Sequence, residues 1–164
     1  MKVLLRFTVL VIYMWLIFAA ISTAGPDIQW LPDFEVMDFD GETSESRAFA
    51  QEGSWLLVYV QPESSSSERL LNLLRAEVFH LPERFVILVG GRAPGKARDF
   101  AEGFPDLIDA QWYVDKNREG FSGLNLKGVP VVLGLHGSEI AWRVNGLLPQ
   151  SKNLETLLLS WLEQ

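Results

Sequence analysis

The 164-residue chain contains no cysteine. That absence removes disulfides, cysteine-ligated zinc, a cysteine nucleophile and a lipid-modified cysteine at a mature N-terminus, so stability has to come from packing. Imidazole is nearly as scarce. His80 and His136 are the two histidines, neither lies at helical i, i+4 spacing with a carboxylate partner, and no metal site is expected. Basic charge is also short: 14 Lys and Arg stand against 21 Asp and Glu, a net charge of -7. Nucleic acid is therefore not an expected partner, because phosphate binding needs a concentrated basic face. The acidity reads as a solubility feature.

What is present begins with Lys2 and Arg6, an apolar run over residues 7–21, and Ser22, Thr23 and Ala24 ahead of Gly25 and Pro26. This order matches a secretory signal peptide cleaved after Ala24. The run is long for a signal core and short for a membrane span, so an uncleaved N-terminal anchor is the alternative. Residues 1–24 are set apart from the fold on that basis, and residues 25–164 suit a single domain. The expected location is extracytoplasmic, in a periplasm or on the outer face of a membrane. Membrane contact would come only through the N-terminal segment, if it is retained.

Hydrophobic periodicity orders the rest. Residues 34–39 partly alternate and run into the turn signal Asp40-Gly41. The continuous apolar run 55–60 is short enough for a buried strand and ends at Gln61-Pro62. A helix follows over residues 68–79 with Leu71, Leu74 and Val78 on one face. Residues 84–89 form a second buried strand, then come a Gly/Pro loop, a short helix near 96–102 and a brief strand at 111–114. Residues 130–135 form another strand, turned by His136-Gly137 into 138–144, where alternation puts Ile140, Trp142 and Val144 on one face. Leu154, Leu157, Leu158, Trp161 and Leu162 give an amphipathic closing helix.

Pro32-Asp33-Phe34 with Asp38-Phe39-Asp40-Gly41, the strand Leu56-Leu57-Val58-Tyr59-Val60, and Leu126-Lys127-Gly128-Val129-Pro130-Val131-Val132 together resemble the TlpA/ResA-like branch of the thioredoxin superfamily. Phe104-Pro105 with Leu107 and Asp109 is similar to a further stretch of that family. The resemblance implies an α/β thioredoxin-like fold, a central mixed β-sheet flanked by helices, with a cis peptide before Pro130. It also places the family's Cys-x-x-Cys on Ser64, Ser65, Ser66 and Ser67. A hydroxyl cannot replace the thiolate that attacks a disulfide sulfur, so thiol–disulfide exchange is excluded. The tryptophan usual before the first cysteine is Glu63 here, and the buried acid of thioredoxins proper is Val58. What the resemblance leaves is a peptide groove bounded by Val129, Pro130 and the serine turn, and with it a redox-inactive module that binds an envelope protein or peptide, or serves an envelope assembly.

Other chemistry is weaker in the sequence. Ser65 with Glu68 satisfies the S-x-x-E capping box, the ordinary reason for serines at a helix start. The alternative function is an enzyme of non-redox chemistry using the Ser64 to Ser67 helix start, with His136 as base; no G-x-S-x-G elbow supports it, and no catalytic residue is assigned. Gly90 through Lys96 matches G-x-x-x-x-G-K, but Ala97 stands where a phosphate loop needs a hydroxyl, and no cofactor is expected. Trp30, Trp55, Trp112, Trp142 and Trp161 read mostly as core or half-buried sheet residues, any exposed one marking a binding face.

Overall fold

A computed structural model of the protein describes residues 30–49, 51–78, 82–146 and 151–163. The leader and its cleavage position, and His80, lie outside the described residues. Seven strands form one mixed sheet in the order β2-β1-β5-β4-β3-β6-β7. They are β1 Glu35–Met37, β2 Thr43–Glu45, β3 Ser54–Val60, β4 Phe85–Gly90, β5 Gln111–Asp115, β6 Val131–His136 and β7 Glu139–Asn145. The helices are α1 Ser65–Val78, α2 Pro94–Glu102, α3 Glu119–Gly123 and α4 Ser151–Leu162.

The three central strands β3, β4 and β5 are parallel, and β6 runs antiparallel to β3. Parallel strands are covered on both faces and therefore read as unbroken apolar runs. Every residue of β3 and β4 is buried. Alternation along these strands divides the core in two. On one face Leu56, Val58, Ile87 and Val132 meet Leu70, Leu71 and Leu74 of α1, Ala97 and Ala101 of α2, and Leu158 and Leu162 of α4. On the other, Leu57, Tyr59, Val86, Leu88 and Leu133 meet Phe34, Phe49 and Phe121 of α3.

Several expectations are corrected. Ile140 does not share a face with Trp142 and Val144. An irregularity in the pairing with β6 lies between Gly134 and Leu135, so that Gly134 faces Trp142 while Leu135 faces Ile140. The bulged residue, Ala141, reverses the alternation. Trp142 and Val144 accordingly pack on the helix-covered core and Ile140 on the opposite one. Gly134 is required there, since a Cβ would lie 2.1 Å from the Trp142 ring. Trp30 is 60% exposed rather than packed.

Candidate functional site

The parallel strands β3, β4 and β5 all end at one edge of the sheet, where α/β folds place their ligands. Tyr59 pairs with Val131, so the exit of β3 lies beside the segment that leads into β6. The serine turn and the Val129–Pro130 peptide, which is cis, are thus brought to the same edge. Pro130 is buried and Val129 half-buried.

Two hydroxyls of the serine tract, those of Ser64 and Ser67, serve the helix. Ser64 accepts a bond from the Ser67 amide at 3.3 Å, and its carbonyl accepts the first helical bond, from Glu68. Ser64 is therefore the N-cap. The expected box between Ser65 and Glu68 is off by one residue, because the helix begins one residue earlier than that pattern assumes and Ser67, not Glu68, occupies the third helical position. Ser67 is fully buried and its Oγ accepts the Gln61 amide at 3.2 Å, tying the strand exit to the helix. Ser65 is exposed and Ser66 half-buried.

Glu63 takes a left-handed conformation, φ 66°, and its carboxylate receives Arg92 Nη2 at 2.7 Å from the loop after β4. That loop is no phosphate cradle. Helix α2 begins at Pro94, so Gly95 and Lys96 lie inside its first turn and Ala97 is buried. The Gly91 amide, which would have to face a phosphate, donates to the Asp115 carbonyl at 2.8 Å.

Beneath this edge is a cluster that sequence reasoning missed. The Tyr59 hydroxyl donates to Asp115 Oδ2 at 2.8 Å, and the Phe121 amide donates to the same oxygen at 2.9 Å. Asp115 is fully buried, and its Oδ1 has no hydrogen-bond partner among the described residues. Burial first, then the Asp115 charge and the hydrogen bond to it, push the Tyr59 phenol far above its ordinary value, with the Arg118 guanidinium opposing. Arg118 is also left-handed, φ 60°, and lies over the Phe121 ring at 4.2 Å. Gly90 makes room for the cluster: a Cβ there would sit 2.4 Å from the Tyr59 hydroxyl. The only sequence signals are a tyrosine inside an apolar strand and an acid closing another.

His136 is not part of this site. It lies five residues beyond Val131, roughly 17 Å along the strand, and faces Ser54 on β3 and Glu139 on β7. Ser54 Oγ and His136 Nδ1 are 3.5 Å apart, the outer limit of a hydrogen bond. Ser54 is 1% exposed, out of reach of a substrate. The alternative of a serine at residues 64–67 activated by His136 is overturned by this separation.

The sequence matches no family model and no curated protein. Solved structures do match. The backbone is similar to a secreted disulfide oxidoreductase of Mycobacterium tuberculosis, homologous to Escherichia coli DsbE, with a TM-score of 0.65 at 15% identity over 77% of this chain and 95% of that one. The chain has a thioredoxin-like fold. Other proteins similar to it are the exposed lipoprotein thioredoxin Etrx1 of Streptococcus pneumoniae, TM-score 0.59 at 14% identity over 79% of this chain and 99% of that one, and a thiol peroxidase of Chromobacterium violaceum, TM-score 0.58 at 17% identity over 82% and 86%. Against these redoxins, this thioredoxin-like chain keeps the architecture with no cysteine anywhere.

Proposed function

We propose that the protein is a redox-inactive, extracytoplasmic thioredoxin-like module that binds an extended segment of another protein at the edge formed by residues 64–67 and Val129–Pro130. The observation that carries this reading is the pairing of two facts at one edge. The Ser64 and Ser67 hydroxyls are engaged in capping and tying α1, while the backbone leading into β6 lies beside them at the end of a sheet. Backbone at such a position can take up an extended chain by main-chain hydrogen bonding. The charged N-terminus and apolar run favour export, as do relatives in fold described as secreted or as an exposed lipoprotein.

The test uses a blocking substitution the fold tolerates. At Gly128 an added Cβ meets no atom within 4 Å and the backbone is not left-handed, so Gly128→Trp puts a bulky ring beside Val129 without strain. Random peptides displayed on phage and selected on the wild-type protein should bind Gly128→Trp at least about tenfold more weakly, by loss of the main-chain pairing. Failure to select any peptide, or selected peptides indifferent to Gly128→Trp, would sink the groove. An insulin reduction assay should give no turnover above buffer.

A further inference from the structure

Strand β7 ends on Asn145, and Gly146 follows it. An asparagine before a glycine can react with its own main chain. The backbone nitrogen of the next residue lies within reach of the side-chain amide carbon, so the two behave as an intramolecular pair, and a glycine, having no Cβ, offers that nitrogen with the least crowding. Other asparagines lack one requirement or both. Asn72, Asn117 and Asn125 precede Leu73, Arg118 and Leu126, whose side chains crowd the attacking nitrogen. Their amides are also engaged: Asn72 Nδ2 donates to the Glu68 carbonyl at 2.9 Å, Asn117 Nδ2 approaches Glu119 Oε1 at 3.5 Å, and Asn125 Oδ1 accepts Lys127 Nζ at 2.6 Å. Asn145 is exposed, and its side-chain amide has no hydrogen bond among the described residues. Asp40 also precedes a glycine, Gly41, but its carboxylate is held by Arg98 at 2.7 Å, and a carboxylate is a far poorer electrophile than an amide.

One bond holds the nucleophile back. The Gly146 amide donates to the Pro130 carbonyl at 2.7 Å, and Asn145 pairs with Val131. While β7 lies against β6, the Gly146 nitrogen is therefore fixed and its proton shared. Gly146 itself sits at φ 74°, where the chain turns away from the sheet. β7 is the last strand of the sheet, with β6 as its one strand neighbour, and the ends of such elements open at lower cost than the core strands.

We propose that Asn145–Gly146 is a site of spontaneous covalent modification, gated by the release of Gly146 from Pro130. In the step, the Gly146 nitrogen bonds to Asn145 Cγ, the Cγ–Nδ2 bond breaks, and the proton lost by the backbone nitrogen leaves with the amide nitrogen as ammonia. Water then opens the cyclic imide at either carbonyl, giving aspartate or isoaspartate. Either product gains a negative charge opposite Val131. The isoaspartate also carries an extra methylene in the main chain, which displaces the register between the end of β7 and β6. Ammonia is lost to solvent, so the product accumulates with the time that this end of β7 spends open.

The protein as recovered from cells is incubated at mildly alkaline pH, alone and in concentrated urea, and mapped over time by proteolysis and mass spectrometry. In the native protein, the peptide that holds Asn145 should exchange the mass of NH for that of O before any other asparagine peptide does, and it should appear as a mixture of aspartate and isoaspartate forms. Conversion should run about fivefold or more slower in the native protein than in urea, the protection that one hydrogen bond provides. Asn145→Gln keeps an exposed amide but needs a larger ring to react, so it should stay a single species on anion exchange while wild type gains a more acidic one. Earlier conversion of another asparagine in the native protein, aspartate without isoaspartate, or an Asn145→Gln profile that drifts like wild type would overturn the site. Equal rates with and without urea would overturn the gate.

Discussion

The two ends of the central sheet are built to different rules. At the end away from the serine turn, hydrogen bonds stitch the chain shut: Trp55 Nε1 donates to the Gly137 carbonyl at 2.6 Å, the Gly137 amide to Gly53, and the Leu31 amide to Ser138. At the serine-turn end, two charged residues are left-handed and a buried carboxylate keeps one oxygen without a partner among the described residues. A fold that must only be stable would treat both ends alike. The difference shows where the molecule has accepted a cost, which is where a ligand can repay it.

The comparison breaks most visibly at its stable end. Trp55 is fully buried and central to the stitching, so Trp55→Ala should lose about 3–5 kcal/mol in urea unfolding, while the molecules that remain folded bind the phage-selected peptides as before. Asp115→Ala should cost about 3 kcal/mol, since it leaves the Tyr59 hydroxyl and the Phe121 amide without an acceptor. Unlike the Trp55 change, it should also weaken the peptide, because the α3 start that carries Arg118 is pinned by that carboxylate. Equal effects of both variants on binding would erase the contrast between the ends.

Alkaline pH sharpens it. Tyr59 has a raised pKa in the folded protein, so its protonated form contributes stability that is fully present below the unfolded value of about 10. As pH rises past 10 the unfolded chain ionises first, and that stability is progressively lost, by about 1.4 kcal/mol at pH 11. Urea midpoints between pH 8 and 11 should fall, and Tyr59→Phe should flatten the fall, with Tyr113, also raised by burial, supplying what remains. Smaller still, Ser64→Ala should cost about 1 kcal/mol as a lost cap. Gly128→Trp should stay within about 0.5 kcal/mol of wild type, so that its effect on peptide binding is read against an unchanged fold.

Much of the architecture could be read from the residues alone, for one physical reason. β3, β4 and β6 are covered on both faces, and coverage writes itself into sequence as continuous apolar runs. Where burial is one-sided or lost, the signal fades. β2, Thr43–Glu45, is a polar edge strand, and α3 is a single turn containing two glycines, Gly120 and Gly123. The face of β7 was misread because alternation is reliable only without a bulge, and nothing about Ala141 announces one. The serine turn and Pro130 were legible as positions, since each is local. The Tyr59–Asp115–Arg118 cluster was not: it joins β3, the end of β5 and the turn after it, and only the parallel register of three strands brings them together.

One further feature sets how the serine-turn edge is presented. Trp30 bridges to Glu139 and Leu31 bonds to Ser138, which moors the incoming chain to the β6–β7 turn, at the pole opposite the groove. Five residues lie between Ala24 and Trp30, a leash of at most about 20 Å. Were the leader kept as an anchor, that leash would hold the β6–β7 pole toward the bilayer and turn the serine-turn edge outward, favouring partners that approach through solvent over those embedded in the same membrane. Were it removed, that edge would be offered in every direction, and the exposed Trp30 would be left near the new terminus.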